Sequence, residues 1–379
     1  MPLVGIPPEK PIIDFSANTF TSQVIGIYLQ NINYIHIKGI RVTSINQPHQ
    51  GGIAQYGMIL WDHVSNCIFE QMETDHIGGW GTVIGDASNN NLFLNCDSHH
   101  NSDRYSTNGE PWGWSDGFQS MSYDRDYTGQ ASTGNIFRGC RAYWNSDDGW
   151  DLRRAGGLWT IDHCWSFMNG RQPGEKNGDP DVDATGGNGE AYKLGQSFQD
   201  GTTDIKRILV NSLSYNNALG VEAVSGEATG ILYNGAIGMQ IYNNVFYHDQ
   251  KGVDIQKDAD GNIGNIYFYN NIIHGYTTFA AYEFQEIPHH SNNIFTSNGF
   301  YHQGTPDLSS TVSNNDFSSL DSSCLDGPRN ADGSLPILSF LHLKSTSGLI
   351  GKGVNVGLST DGVGKSWNNP PSIGAYEYP

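Results

Sequence analysis

Leu92-Phe-Leu-Asn-Cys96-Asp-Ser-His-His-Asn101 and Ile136-Phe-Arg-Gly-Cys140-Arg-Ala-Tyr-Trp-Asn145 decide the reading of the fold, because they are one phrase written twice. It returns at Ile68-Phe-Glu-Gln-Met72, Thr160-Ile-Asp-His-Cys164, Ile208-Leu-Val-Asn-Ser212, Gln240-Ile-Tyr-Asn-Asn244 and Tyr267-Phe-Tyr-Asn-Asn271. In chain order the closing residues of the seven copies lie 24, 44, 24, 48, 32 and 27 positions apart. Intervals near one value or its double fit one turn of a β-solenoid, with loops inserted in some turns. Each turn then stacks on the last at the parallel-strand spacing of roughly 4.8 Å, burying a continuous core that no single turn could bury alone. The fold expected is all-β, a parallel β-helix forming a single domain over residues 1–379.

Composition agrees. The 47 glycines and only 16% charged residues suit short strands and tight turns rather than amphipathic helices. A formal charge of −19, with 20 Lys and Arg in all, argues against a nucleic-acid partner, whose phosphates need clustered cations. The same charge is wrong for a polyanionic substrate unless the acidic residues at the site hold a divalent cation. Five cysteines without a C-x-x-C pair make no disulfide framework. No apolar run reaches the roughly 18 residues of a membrane span. The N-terminal Met1-Pro-Leu-Val-Gly5 lacks the charged and apolar regions of a secretory signal. A removed signal, a cytoplasmic chain and a truncated one are all open on that ground.

The repeat also sorts residues into columns. Cys96, Cys140 and Cys164 share one position and read as small core residues. Five residues on, Asn101, Asn145, Asn169 and Asn217 read as an asparagine ladder at a turn, since Asn tolerates left-handed backbone. A second strand phrase follows: Gly117-Phe-Gln119-Ser, Gly149-Trp-Asp151-Leu, Ala191-Tyr-Lys193-Leu, Gly220-Val-Glu222-Ala and Gly252-Val-Asp254-Ile. Side chains alternate across a strand, so Gln119, Asp151, Lys193, Glu222 and Asp254 form an outward column. Lys193 is expected about one rung, roughly 5 Å, from both Asp151 and Glu222. Insertions at about residues 102 to 114, 121 to 134 and 171 to 187 would wall a groove beside this column.

Asn145-Ser-Asp147-Asp148-Gly-Trp-Asp151 places three carboxylates within five residues, and Ser115-Asp116-Gly-Phe puts Asp116 level with Asp148. Four carboxylates so close need protonation or a cation to coexist. Hard oxygen donors favour calcium over zinc. The plainer reading, Asp side chains bonded to turn amides, is open as well. For Lys193 two readings also stand, a surface ion pair along the ladder and a general base that must be neutral to act.

These residues resemble polysaccharide lyase family 9, the calcium-dependent pectate and rhamnogalacturonan lyases built as right-handed parallel β-helices. The resemblance rests on Ser115-Asp-Gly-Phe118, on Asn135-Ile-Phe-Arg-Gly-Cys-Arg-Ala142 running into Asn145-Ser-Asp-Asp-Gly-Trp-Asp-Leu152, and on Gly187-Asn-Gly-Glu-Ala-Tyr-Lys-Leu-Gly195. It covers roughly residues 30 to 290, and Ser372-Ile-Gly-Ala-Tyr-Glu-Tyr378 is similar to the ends of many secreted β-helix proteins. It implies Ca²⁺ as cofactor, Asp116, Asp147, Asp148 and Asp151 as its ligands, and Lys193 as the base for β-elimination on a galacturonate-containing pectic polysaccharide. Secretion, or a periplasmic or cell-surface site, and a monomeric chain are implied with it. Family members usually have further N-terminal coils and a cap before the segment resembling Pro11-Ile-Ile-Asp-Phe15, so the chain reads as starting part-way up the helix. Arg153–Gly157 and the loop 171–186 depart from the family pattern, which leaves the subsites open.

The substrate-binding candidates are Arg153, Arg154, Tyr192, Glu222 and Trp114. Arg153 faces outward by alternation and could pair a substrate carboxylate bidentately, or be a solvated surface arginine. Trp112, Trp114, Tyr123 and Tyr127, on the inserted loops, could stack on sugars or pack the loops. A glycoside hydrolase with paired carboxylates and a non-catalytic carbohydrate-binding β-helix are the rival functions. The lysine together with four Asp positions favours the lyase. Arginines (Arg104, Arg125, Arg153, Arg154, Arg171) and many aromatics leave polygalacturonate and rhamnogalacturonan both open as backbones.

Overall fold

The computed structural model describes residues 3–4, 10–48, 52–106, 111–121, 131–152, 155–170, 187–195, 205–224, 238–256, 265–282, 287–296, 300–301, 307–308 and 311–378. Among these, three parallel sheets hold ten strands each, and neighbours within a sheet are three strands apart in the chain. Every turn therefore adds one strand to each sheet, which is the expected parallel β-helix. The first sheet includes Ile68–Glu70, Leu92–Leu94, Asn135–Arg138, Trp159–Asp162 and Ile205–Val210. The second includes Glu73–Asp75, Asp97–His99, Arg141–Tyr143 and Trp165–Phe167. The third includes Gly79–Ile84, Phe118–Ser120, Trp150–Asp151, Glu190–Lys193, Leu219–Val224 and Lys251–Gln256.

The register follows the sequence phrases. Phe69, Phe93, Phe137, Ile161, Leu209, Ile241 and Phe268 are successive partners in the first sheet and all are fully buried. The phenylalanine rings stack at 5.1 and 4.8 Å, and opposite them Phe118, Trp150 and Tyr192 stack at 5.0 and 5.2 Å. The thiols of Cys96, Cys140 and Cys164 lie in this core, unpaired in disulfides. Burial at roughly 25 cal/mol per Å² of apolar surface is what the stacked turns gain over isolated ones.

The asparagine ladder is present. Each amide donates to the next turn's carbonyl oxygen, Asn101 to Asn145 at 2.8 Å, Asn145 to Asn169 at 2.9 Å and Asn169 to Asn217 at 3.0 Å, and Asp249 closes the run at 3.1 Å. The ladder supplies the buried corner with the hydrogen bonds that a strand ladder provides elsewhere. At the corner between the first and second sheets, Gln71, Asn95, Gly139, His163, Asn211, Asn243 and Asn270 all take the left-handed conformation, where Asn and Gly are least strained.

One large element has no counterpart in the sequence reading. The strands end at Tyr301, and residues 311–378 run back along the outside of the second sheet with little regular structure. Phe317, Leu325, Phe340, Leu341, Leu343, Leu349, Ile373 and Tyr376 pack there against Tyr143, Trp165, Phe167, Leu213, Val245, Tyr247 and Ile272. Polar ties fix the return path: Gln71 Nε2 to Asp332 O at 2.7 Å, Asn211 Nδ2 to Thr360 O at 3.1 Å and Asn270 Nδ2 to Val354 O at 2.8 Å.

Candidate active site on the third sheet

The outward column appears as read. Gln119, Asp151, Lys193, Glu222 and Asp254 are successive Cα partners along the third sheet. Gly149 makes room for the rung that carries most of the acids: a Cβ there would meet Ser166 Oγ at 2.2 Å and the Ala191 carbonyl at 2.7 Å. Asp148 and Asp151 flank this close contact. Asp116 lies one turn earlier, where its carboxylate accepts the Asp148 amide at 3.1 Å.

Carboxylate oxygens of Asp116, Asp148 and Asp151 all lie within 4.8 Å of one another. Asp147 is not one of that trio. Its carboxylate accepts the Asn188 amide at 2.7 Å, yet it is the strongest like-charge neighbour of Asp116. Burial first, and then neighbouring carboxylates, push Asp116, Asp147 and Asp148 well above the usual carboxylate range. An all-oxygen, water-poor cluster that resists ionisation by itself suits a hard divalent cation such as calcium.

Lys193 sits among these acids at 6% exposure. Its Nζ donates to Asp148 Oδ2 at 2.9 Å and lies 3.1 Å from Glu190 Oε2. One of the two sequence readings of Lys193 was a surface ion pair along the ladder with Asp151 and Glu222. The closest ion pairs are instead with Asp148 and with Glu190, because the long side chain reaches back along its own strand by three residues. Burial pulls the Lys193 pKa down, but Asp148, Glu190, Asp151 and Asp147 outweigh it and hold the ammonium protonated well above its ordinary range. Five carboxyl groups surround one ammonium, so the group if fully ionised would carry excess negative charge.

Glu190 was missed at the sequence level. Its amide donates to Asp148 Oδ1 at 2.7 Å, and the signal for it was available: in Glu190-Ala-Tyr-Lys193 it stands in register with the acidic rung below.

Tyr192 corrects an expectation. It is fully buried, stacked on Trp150, with its hydroxyl donating to the Cys164 and Leu213 carbonyls at 3.0 and 2.8 Å. It sits on the inward side of the strand that carries Lys193 outward, so it is a core residue and does not face a substrate. Trp114 is 38% exposed, its ring edge-on to Trp80 at 5.5 Å and its amide held by Asp103 at 3.3 Å. Trp112 is buried, and the Arg104 guanidinium lies 5.9 Å from its ring centre. Arg153, Arg154, Arg125, Arg171, Tyr123, Tyr127 and the Glu222 side chain lie outside the described residues.

A second acidic group, Glu73, Asp75 and His99 on the second sheet, has ligand atoms equally close. It differs in charge balance. Arg41 donates to Asp75 at 2.6 and 2.8 Å, and Lys10 pairs with Glu73 at 2.5 Å. Burial works against the Glu73 carboxylate, but His99 and Lys10 outweigh it and hold its pKa down at about 2. Protein cations already satisfy that group, whereas among the described residues the third-sheet group sets Lys193 against five carboxyl groups.

A family described as "Pel9A-like, right handed beta helix region" matches residues 1–262. The chain is 26% identical over 371 residues to pectate lyase L of Dickeya dadantii, covering 97% of this chain and 72% of that protein. It is 29% identical over 373 residues to pectate lyase L of Paenibacillus polymyxa, covering 94% and 70%. Among solved structures, pectate lyase Pel9A superposes with a TM-score of 0.63 at 25% identity over 97% of this chain and 77% of that one. A rhamnogalacturonan lyase shares the fold, with a TM-score of 0.67 at 23% identity over 91% and 79%.

Proposed function

The chain belongs to the Pel9A-like right-handed β-helix family and is a polysaccharide lyase; from that premise we propose that it cleaves a galacturonate-containing pectic backbone by β-elimination, with Lys193 as the base. The observation that carries this reading is the register that sets Lys193 one rung from Asp151, its Nζ bonded to Asp148 inside a buried carboxylate cluster.

Asp116, Asp148 and Asp151, with Asp147 beside them, are the residues that would hold calcium. A calcium ion there would act as a Lewis acid toward a uronate carboxylate and would offset the negative charge that keeps Lys193 protonated. The chain's own residues supply the remaining steps. Asp148 and Glu190 fix the direction of Nζ, and pairing on the third sheet fixes the backbone that carries it. In its neutral form Nζ takes the C5 proton of a bound galacturonate, the C4–O4 bond breaks, and the electron pair left at C5 closes the C4–C5 double bond. The departing O4 oxygen takes up a proton, leaving an unsaturated uronide. A positioned base contributes about 10²–10⁴-fold, so the electrostatics of the cluster must provide much of the rest. Trp114 offers an exposed ring beside the cluster for stacking on a sugar.

The test is ultraviolet absorbance of the conjugated unsaturated uronide during incubation with polygalacturonate and, separately, rhamnogalacturonan, each with calcium or a chelator. A calcium-dependent rise on either substrate supports the reading and names the backbone. New reducing ends without that absorbance would make the protein a hydrolase.

A further inference from the structure

Inside the helix a charged side chain stands between apolar neighbours in its column. Arg207 occupies the inward column of the first sheet, between Trp159 of the preceding turn and Met239 of the following one, and it is fully buried. Its guanidinium donates from Nε to the Leu194 carbonyl at 2.8 Å, from Nη1 to the Gly157 and Lys206 carbonyls at 2.7 and 2.8 Å, and from Nη2 to the Leu152 carbonyl at 3.2 Å and to that of Ala155. Two of these acceptors are the residues that follow the site: Leu152 comes directly after Asp151, and Leu194 directly after Lys193. Ala155 and Gly157 continue the segment that leaves Asp151. The two exits also meet each other, the Leu152 amide donating to the Lys193 carbonyl at 2.8 Å.

We infer that Arg207 is a positioning residue of the active site, a clamp inside the core that sets how the Asp151 and Lys193 rungs leave the third sheet and so how far apart their side chains stand. The inference rests on the roles proposed above for Lys193 and Asp151. Buried carbonyls need donors, and a guanidinium offers five in a rigid planar fork, where lysine offers three on a flexible stem. An apolar residue matched to Trp159 and Met239 would fill the column equally well but would take the guanidinium donors away from these carbonyls, of which Leu152's would keep only the Ala155 amide at 3.1 Å. Burial pushes the Arg207 pKa down to about 9, which still leaves the charge in place at neutral pH. A misplacement near 1 Å, even from a residue remote from the chemistry, costs about 100-fold in rate.

The experiment compares R207M, R207K, K193A and the R207M/K193A double variant by kcat, KM, thermal melting and calorimetric titration with calcium alone. Arg207 as a clamp predicts that folded R207M loses about 10- to 100-fold in kcat with little change in KM, and that its calcium affinity falls about 10-fold. R207K falls between R207M and the parent, and the double variant is no slower than K193A. A residue that only stabilises the fold would lower the melting temperature and leave kcat and calcium affinity of the folded protein unchanged; that result overturns the inference. If K193A keeps full activity, the assignment of the base fails, and the calcium titration of R207M then decides the clamp by itself: weakened binding supports it and unchanged binding overturns it. If R207M does not fold, R207K carries both comparisons, and parent-like kcat and affinity in R207K overturn it.

Discussion

The second and third sheets are built from the same alternating strands, yet their outward faces are opposites. On the second sheet the outward positions from Tyr143 onward include Tyr143, Trp165, Phe167, Leu213, Val245 and Tyr247, sealed under residues 311–378. On the third they include Asp148, Glu190 and Lys193, all buried, and the half-buried Asp151. One face gains stability from apolar burial. The other places five carboxylates around one ammonium, an arrangement that costs stability because desolvated like charges repel. Covered outward positions with matched chemistry make a structural seam, and covered outward positions with unmatched charge make a site.

Removing residues 312–378 breaks the comparison most severely. It bares the aromatic face of the second sheet, and the expected outcome is loss of soluble protein with a cooperative melting transition. A truncated chain that melts like the parent would show that the segment is not a required cover.

Asp97 joins the cover to the helix, bonded by Arg141 at 2.8 and 2.9 Å and by Arg329 at 2.6 and 3.0 Å. Asp97→Asn leaves the buried Arg141 and the half-buried Arg329 guanidiniums short of their counter-charge and should cost about 3–5 kcal/mol in denaturant unfolding, with kcat per folded molecule unchanged.

The two faces should also respond oppositely to pH. Burial works against the Asp97 carboxylate, but Arg329 and Arg141 hold its pKa well below the usual range; its contribution is present above about pH 4 and lost as pH falls. Asp103, on the loop beside the site, is raised to about 6 chiefly by burial. Its contribution is full below about pH 4 and lost as pH rises through 6, a change on the order of 2 kcal/mol. The stability difference between parent and D103N should therefore move against D103N's favour as pH falls from 6 to 4. The corresponding difference for D97N should shrink as pH falls below about 4.

The smallest expected effect has an unusual sign. Asp116→Asn removes a buried acid whose ionised form burial and the neighbouring carboxylates disfavour, so with chelator present the variant should gain stability rather than lose the roughly 1 kcal/mol typical of a point substitution. Calcium should then raise its melting temperature less than it raises the parent's. A chelated D116N less stable than the parent would mean that the cluster is not strained.

Much of this is legible in the sequence. The repeated phrase placed the Cys column in the core, the Asn ladder at its corner, and Asp151 next to Lys193, because a period-two strand in a stacked turn leaves each residue one choice of side. What escaped notice were residues whose partners come from elsewhere in the chain. Glu190 matters through Asp148 of the previous turn, and Arg207 through carbonyls that carry no side-chain signal. The cover over the second sheet showed itself only as aromatics at positions that ought to face water, Trp165 and Phe167 among them. Tyr192 was misjudged as a substrate contact although its own alternation places it inward.

The most direct measurement is the rate of unsaturated-uronide formation by K193A, with calorimetry on the same protein to show that it still binds calcium. The account predicts retained calcium binding and a rate lower by about 10²–10⁴-fold. A K193A protein that forms the unsaturated product at the parent rate would contradict the assignment of Lys193 as the base.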